Sequence, residues 1–184
     1  MAPALSLAAL LAALQLLPGD WRELLRYERL AVADGELWRV LTGNLVHLGW
    51  AHFLLNICGL LVMAWLFGRD RSAGFWAAAF LICAIGCNAG LFLFSPDVFW
   101  VVGLSGALHG LFVIGASGWT ARGDPLGKWL LLGVTVKLIW EQLVGELPLS
   151  AEVVGSSVVT DAHLWGAMAG ALWLGGQGIW RRFP

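Results

Sequence analysis

Long apolar runs alternate along this chain with short polar joints. The runs cover approximately residues 4–18, 50–67, 73–94, 103–121, 126–144 and 160–180. Most approach the ~20 residues needed to cross ~30 Å of hydrocarbon. The pattern predicts six transmembrane helices. The first run ends at Pro18-Gly19-Asp20 and has no positive segment ahead of it, so it reads as a spanning helix rather than a cleavable signal. Residues 20–50 form the longest polar stretch, in which Arg22, Arg26, Arg29, Glu36 and Arg39 alternate with Trp21, Leu25, Trp38 and Trp50. Tryptophan favours the headgroup level, so this stretch predicts an interfacial loop. The expected fold class is an all-α polytopic membrane protein: one compact bundle of six transmembrane helices, residues 1–184, with a long interfacial loop between helices 1 and 2. No repeat or second domain is visible.

The fourth run starts unusually. Val98 to Trp119 carries no Asp, Glu, Lys or Arg, yet Gly103-Leu-Ser-Gly106 is a poor helix interior, since each Gly costs ~1 kcal/mol relative to Ala. A chain that enters as a loop and turns helical near Ser105 accounts for this. Such backbone is tolerated at membrane depth only where protein or a water-filled cavity surrounds it. The helix remaining to Trp119 is ~22 Å long, too short to span. Ser105 is therefore expected below the outer surface.

Composition supports the membrane reading. The 184 residues are 59% hydrophobic and 12% charged, with a mean hydropathy of +0.78. A soluble domain carries roughly 45–50% apolar and about 25% charged residues, which excludes a soluble globule. The 24 glycines are about twice the average share and point to close helix packing. A net charge of −1 offers no footprint for nucleic acid. Cys58, Cys83 and Cys87 lie inside apolar runs without a zinc-ligand spacing, and read as small core residues. No metal or cofactor is expected. Arg69, Arg71, Arg122, Lys128, Arg181 and Arg182 fall on one side of a six-span topology, and Asp97, Glu146, Glu152 and Asp161 on the other. The positive-inside rule then predicts cytoplasmic termini.

Polar side chains at membrane depth mark a functional site, because each costs free energy unless partnered. Ser105 needs a base to become a nucleophile, and histidine is the usual one. His163 precedes Gly166 and Gly170 on nearly one face, a small-residue stripe suited to packing against Gly106 and Gly110 and to presenting His163 to Ser105. Spacing alone leaves another reading open, two unrelated polar residues at glycine seams. His52 and Asn56 share a face. They suit a developing oxyanion beside the Ser105 backbone N–H, or equally an interhelical hydrogen bond. His47, about 140° from His52 on a helix, reads as a structural hydrogen-bonder holding the loop. Lys137 and Glu141 read as a neutralising pair. Asp161, two residues before His163, does not share its face. His109 is close enough in sequence to reach the Ser105 hydroxyl; the favoured role is support, by stacking on or bonding to His163.

Taken together, Trp38-Arg39, Thr42, His47, His52 and Asn56, then Gly103-Leu-Ser-Gly106, then Ala162-His163-x-x-Gly166-x-x-x-Gly170 resemble the three signatures of the rhomboid intramembrane serine proteases. The resemblance implies a six-helix bundle in which Ser105 is nucleophile and His163 general base and acid, a dyad without an acidic member. It implies an oxyanion hole of His52, Asn56 and the Ser105 N–H, with Trp38, Arg39 and His47 shaping the loop. Gly103, Gly106, Gly166, Gly170 and His109 would support the site. The substrate would be a membrane-anchored protein cut near the outer boundary of the lipid bilayer, through an acyl-enzyme, at a bacterial inner membrane. Many rhomboids carry tyrosine where this chain has His109. That replacement, the Leu108-His109-Gly110 ending, the short chain and the lack of a preceding domain resemble the rhombosortase subgroup. The subgroup implies exported substrates with a glycine-rich, Gly-Gly-type C-terminal tail, and leaves open capture of the acyl-enzyme by an amine. Other transmembrane substrates, or an inactive rhomboid-like binding protein, are the alternatives.

Overall fold

A computed structural model describes residues 2–176. In chain order it contains α1 (Ala2–Gln15), α2 (Gly19–Leu25), β1 (Tyr27–Glu28), α3 (Arg29–Ala33), α4 (Arg39–Thr42), α5 (Trp50–Phe67), α6 (Ala73–Phe94), β2 (Trp100–Val101), α7 (Ser105–Ala121), α8 (Pro125–Leu143), α9 (Ser150–Val154) and α10 (Thr160–Gly176). Each of the six apolar runs becomes one long helix, and α5 and α6 have the expected bounds. Among the described residues these two are long and apolar enough to cross a membrane by themselves. The end of the sixth run, and Arg181 and Arg182 with it, lies outside the described residues.

Helix starts follow local chemistry. The Ser72 hydroxyl accepts from the Phe75 N–H at 3.2 Å to cap α6. Asp124 accepts from the Leu126 N–H at 2.9 Å ahead of Pro125. Both satisfy amides that have no acceptor within the first turn, and Pro at the first helical position sacrifices none.

Two features depart from an all-helical bundle with an open loop. β1 and β2 pair antiparallel, Tyr27 opposite Val101 and Glu28 opposite Trp100. Runs of two residues are too short for periodicity to reveal. The polar stretch is also folded onto the bundle through three short helices. Arg39 is buried and donates to Glu36 Oε2 at 2.5 Å and to the carbonyls of Glu23 and Arg26 at 2.8 and 3.0 Å. The Trp38 ring, in contrast, is exposed. Arg29 donates to the carbonyls of Leu91, Phe92, Ser95 and Val98 at 2.6 to 3.2 Å, satisfying the Phe92 acceptor in the last turn of α6 and bracing the turn that follows it.

α7 occupies the centre. Its Ala107, Leu108, Leu111 and Ile114 pack with Leu11, Phe53, Leu60, Cys83 and Leu174 from the surrounding helices. The outward faces are apolar as well: Trp65, Leu143 and Leu172 are each more than two-thirds exposed. Apolar surface this extensive does not suit water.

Candidate active site

The site rests on a seam of glycines between α7 and α10. A methyl group added at Gly166 would strike the backbone carbonyl of Gly106; one at Gly170 would sit 2.5 Å from the Gly110 oxygen, and one at Gly110 2.5 Å from the Gly166 oxygen. The two backbones therefore approach as no residue with a Cβ allows. Cys83 and Cys87 from α6 close the same seam, and the Cys87 thiol donates to the Ala162 carbonyl at 3.2 Å.

The nucleophile loop is shaped by a second constraint. Gly103 adopts φ +116°, and its N–H donates to the Gly43 carbonyl at 3.0 Å. A methyl group there would meet the His52 ring at 2.6 Å. Glycine is required both for the backbone angle and for the approach to His52. The chain then turns helical at Ser105, as the glycine-rich start of the fourth run predicted.

Across the seam, Ser105 Oγ lies 3.0 Å from His163 Nε2. His163 Nδ1 lies 3.0 and 3.1 Å from the two carboxylate oxygens of Glu141. A carboxylate accepts and does not donate, so Nδ1 carries the proton and Nε2 turns its lone pair to the serine hydroxyl. His109 does not compete for that hydroxyl: its Nδ1–H donates to the Ser105 carbonyl at 2.7 Å. Its ring stacks on His163 with centroids 4.2 Å apart and planes 21° from parallel.

His52 and Asn56 are buried on one face of α5 and line the same cavity, about 810 Å³, as Ser105 and His163. Asn56 Nδ2 donates one hydrogen to the His52 carbonyl at 2.9 Å, which leaves its second for the cavity. His47 corrects its expectation. Among the described residues neither of its ring nitrogens has a hydrogen-bond partner. The ring packs edge-on against His52 and Phe53, at 5.2 and 5.7 Å, and the loop is held instead by its backbone carbonyl, which accepts from Arg22 at 3.0 Å. Burial, reinforced by the neighbouring His52, lowers the His47 pKa to about 3, so the ring stays neutral and behaves as a packing group.

Sequence reasoning placed Lys137 and Glu141 together, and they pair at 2.6 Å. It missed the second contact of Glu141, on His163. Asp161 faces elsewhere, accepting from the Ser95 hydroxyl at 2.5 Å. His109, Glu141 and His163 bring ligand-type atoms within 4.8 Å of one another. Stacked rings direct their lone pairs nearly parallel rather than to one point, and Lys137 holds the carboxylate, so this grouping suits proton chemistry better than a cation.

A serine and an imidazole facing a cavity inside an apolar helical bundle define the class: a helical membrane protein with the makings of serine-hydrolase chemistry. The Rhomboid domain model matches residues 34–176, and the chain belongs to that family. It is also 27% identical over 152 residues to the protein named "Putative rhomboid protease YdcA" of Bacillus subtilis (strain 168), an alignment covering 83% of this chain and 73% of the relative. The family supports intramembrane protease activity in its general sense.

Proposed function

We propose that this protein is an intramembrane serine endopeptidase acting on membrane-anchored proteins. The observation that carries the reading is the 3.0 Å contact between Ser105 Oγ and an imidazole nitrogen whose lone pair is free to accept. His163 takes the hydroxyl proton as Ser105 attacks a peptide carbonyl. The oxyanion meets the Ser105 N–H, an amide of the first turn of α7 with no acceptor inside the helix, and the side chains of His52 and Asn56. As the tetrahedral intermediate collapses, His163 returns the proton to the leaving amine. Water, activated by the same base, then hydrolyses the acyl-enzyme.

In this reading the chain crosses the bilayer six times as one domain, residues 1–184, the fourth crossing completed by the loop that leads into α7 at Ser105, with both termini in the cytoplasm of a bacterium and the cavity opening to the outer side of its inner membrane. In support, Arg69, Arg71, Arg122 and Lys128 fall on the inner side, while Arg22, Arg26, Arg29 and Arg39 lie in the long first loop, large enough to translocate against that bias. Arg122, at the end of α7 away from Ser105, pairs with Asp70 at 2.8 Å in the arginine-bearing turn after α5. Among substrates the reading takes exported proteins with a glycine-rich C-terminal tail, on the resemblance of Leu108-His109-Gly110 to the rhombosortase subgroup.

A fluorophosphonate probe in detergent tests the chemistry. The wild type should label at Ser105. Ser105→Ala should neither label nor cleave a tailed membrane substrate while keeping its thermal stability. Cleavage that survives Ser105→Ala overturns the proposal; a wild type that folds, binds and never labels marks an inactive binding protein.

A further inference from the structure

We infer that Glu141 is a positioning residue for His163, making the site a Ser105–His163–Glu141 relay rather than a two-residue dyad. The inference rests on the protease reading and concerns how its base is held.

Glu141 is on the inner face of α8, where only Gly127 and Val134 are buried with it. Its side chain is 3% exposed, and a carboxylate at that depth persists only with partners. It has two. Lys137 Nζ stands 2.6 Å from Oε1, and His163 Nδ1 is within 3.1 Å of both oxygens. Neutralisation by Lys137 would be satisfied by an outward-turned ion pair at i, i+4; it does not require both oxygens to face an imidazole on another helix.

The tautomer provides the functional argument. Lys137 Nζ also lies 3.4 Å from His163 Nδ1, and an ammonium can only donate. With Glu141 present, Nδ1 is held as the donor and Nε2 faces Ser105 as the acceptor. Without it, the nearest charged group to Nδ1 is a donor. The ring would then turn its lone pair to Lys137 and its N–H to Ser105, a tautomer that cannot take the serine proton. Stacking on His109 fixes the plane of the ring but not which nitrogen carries hydrogen. That choice belongs to Glu141, and Lys137 is the counter-ion that lets it remain charged.

Three variants test this: Glu141→Gln, Lys137→Met and the double substitution, each assayed for cleavage and thermal stability. Glu141→Gln should lower kcat by about 10²-fold or more, as wrong-tautomer variants of serine hydrolases do, with KM within about threefold of wild type. Lys137→Met should lower kcat only about fivefold, since the carboxylate still holds Nδ1. The double variant, which buries no charge, should fold yet remain at least about tenfold below wild type in kcat. A structural ion pair behaves differently: both single variants lose equally and the double returns to wild-type kcat. That result overturns the inference, as does a folded Glu141→Gln within about threefold of wild type. If Glu141→Gln does not fold, the double variant decides by the same wild-type criterion. Cleavage abolished by Ser105→Ala but indifferent to all three variants sinks the relay alone. Cleavage that survives Ser105→Ala sinks the protease reading with it.

Discussion

The cavity has two unlike walls. On one side α7 buries Gly106 to Leu108 and Ile114 to Gly118, and its glycines interlock with those of α10 so closely that backbone meets backbone. On the other, α9 buries none of its residues and begins after Leu149, whose φ of +67° is unusual for a residue with a side chain. Ser105 and His163 sit on the closed wall. The contrast shows how the demands of such a site are divided. A hydroxyl and its base need a fixed separation, which close packing supplies. A protein substrate needs a way in, and few buried apolar contacts make a segment the easier one to displace.

Breaking the closed wall should have the largest effect. Gly166→Leu places a side chain against the Gly106 carbonyl and carbon of the facing helix, where no flexible group can yield. Cleavage and probe labelling should both disappear, and stability should fall by at least the ~1–3 kcal/mol typical of overpacking. A variant that keeps a tenth of the activity at an unchanged Tm would show that the seam does not set the Ser105–His163 distance.

The next effect lies within the stacked pair. His163→Ala should cost about 10⁴-fold in kcat by analogy with other serine–histidine sites. His109→Ala removes a stacking partner and the bond to the Ser105 carbonyl, for about a tenfold loss. The opposite ranking in parallel cleavage assays would exchange base and support.

Much of the closed wall is legible in the sequence. The four-residue glycine spacing on the fourth and sixth runs pointed to the seam, and the cost of Gly103 and Gly106 in a helix pointed to a loop entering at Ser105. What escaped was contact between elements. Lys137 already explained Glu141 from four residues away, so nothing local demanded a second partner. The available signal was capacity: a carboxylate has about four acceptor positions, and one lysine does not fill them. The β1–β2 pairing and the grip of Arg29 on the end of α6 were hidden for a related reason, since both join segments about seventy residues apart. His47 departs from expectation because an imidazole in a polar loop suggests a bonding ring, whereas burial beside His52 and Phe53 makes it a neutral packing group.

The smallest expected effect probes the open wall. Glu146 Oε2 accepts from the Val158 N–H at 2.7 Å and from the Ser150 hydroxyl at 3.5 Å, tying the two ends of the α9 segment together. Glu146→Ala removes about 1–2 kcal/mol of local restraint without touching the seam. If this wall governs entry and not chemistry, KM should change about two- to fivefold while kcat stays within about twofold. Tm should barely move, because α9 contributes no buried residue to the core. A tenfold fall in kcat would mean that the α9 segment helps hold the reacting groups that line the same cavity, and the division between the walls would fail. A change confined to KM would instead place substrate admission on a side of the cavity that glycine packing does not lock.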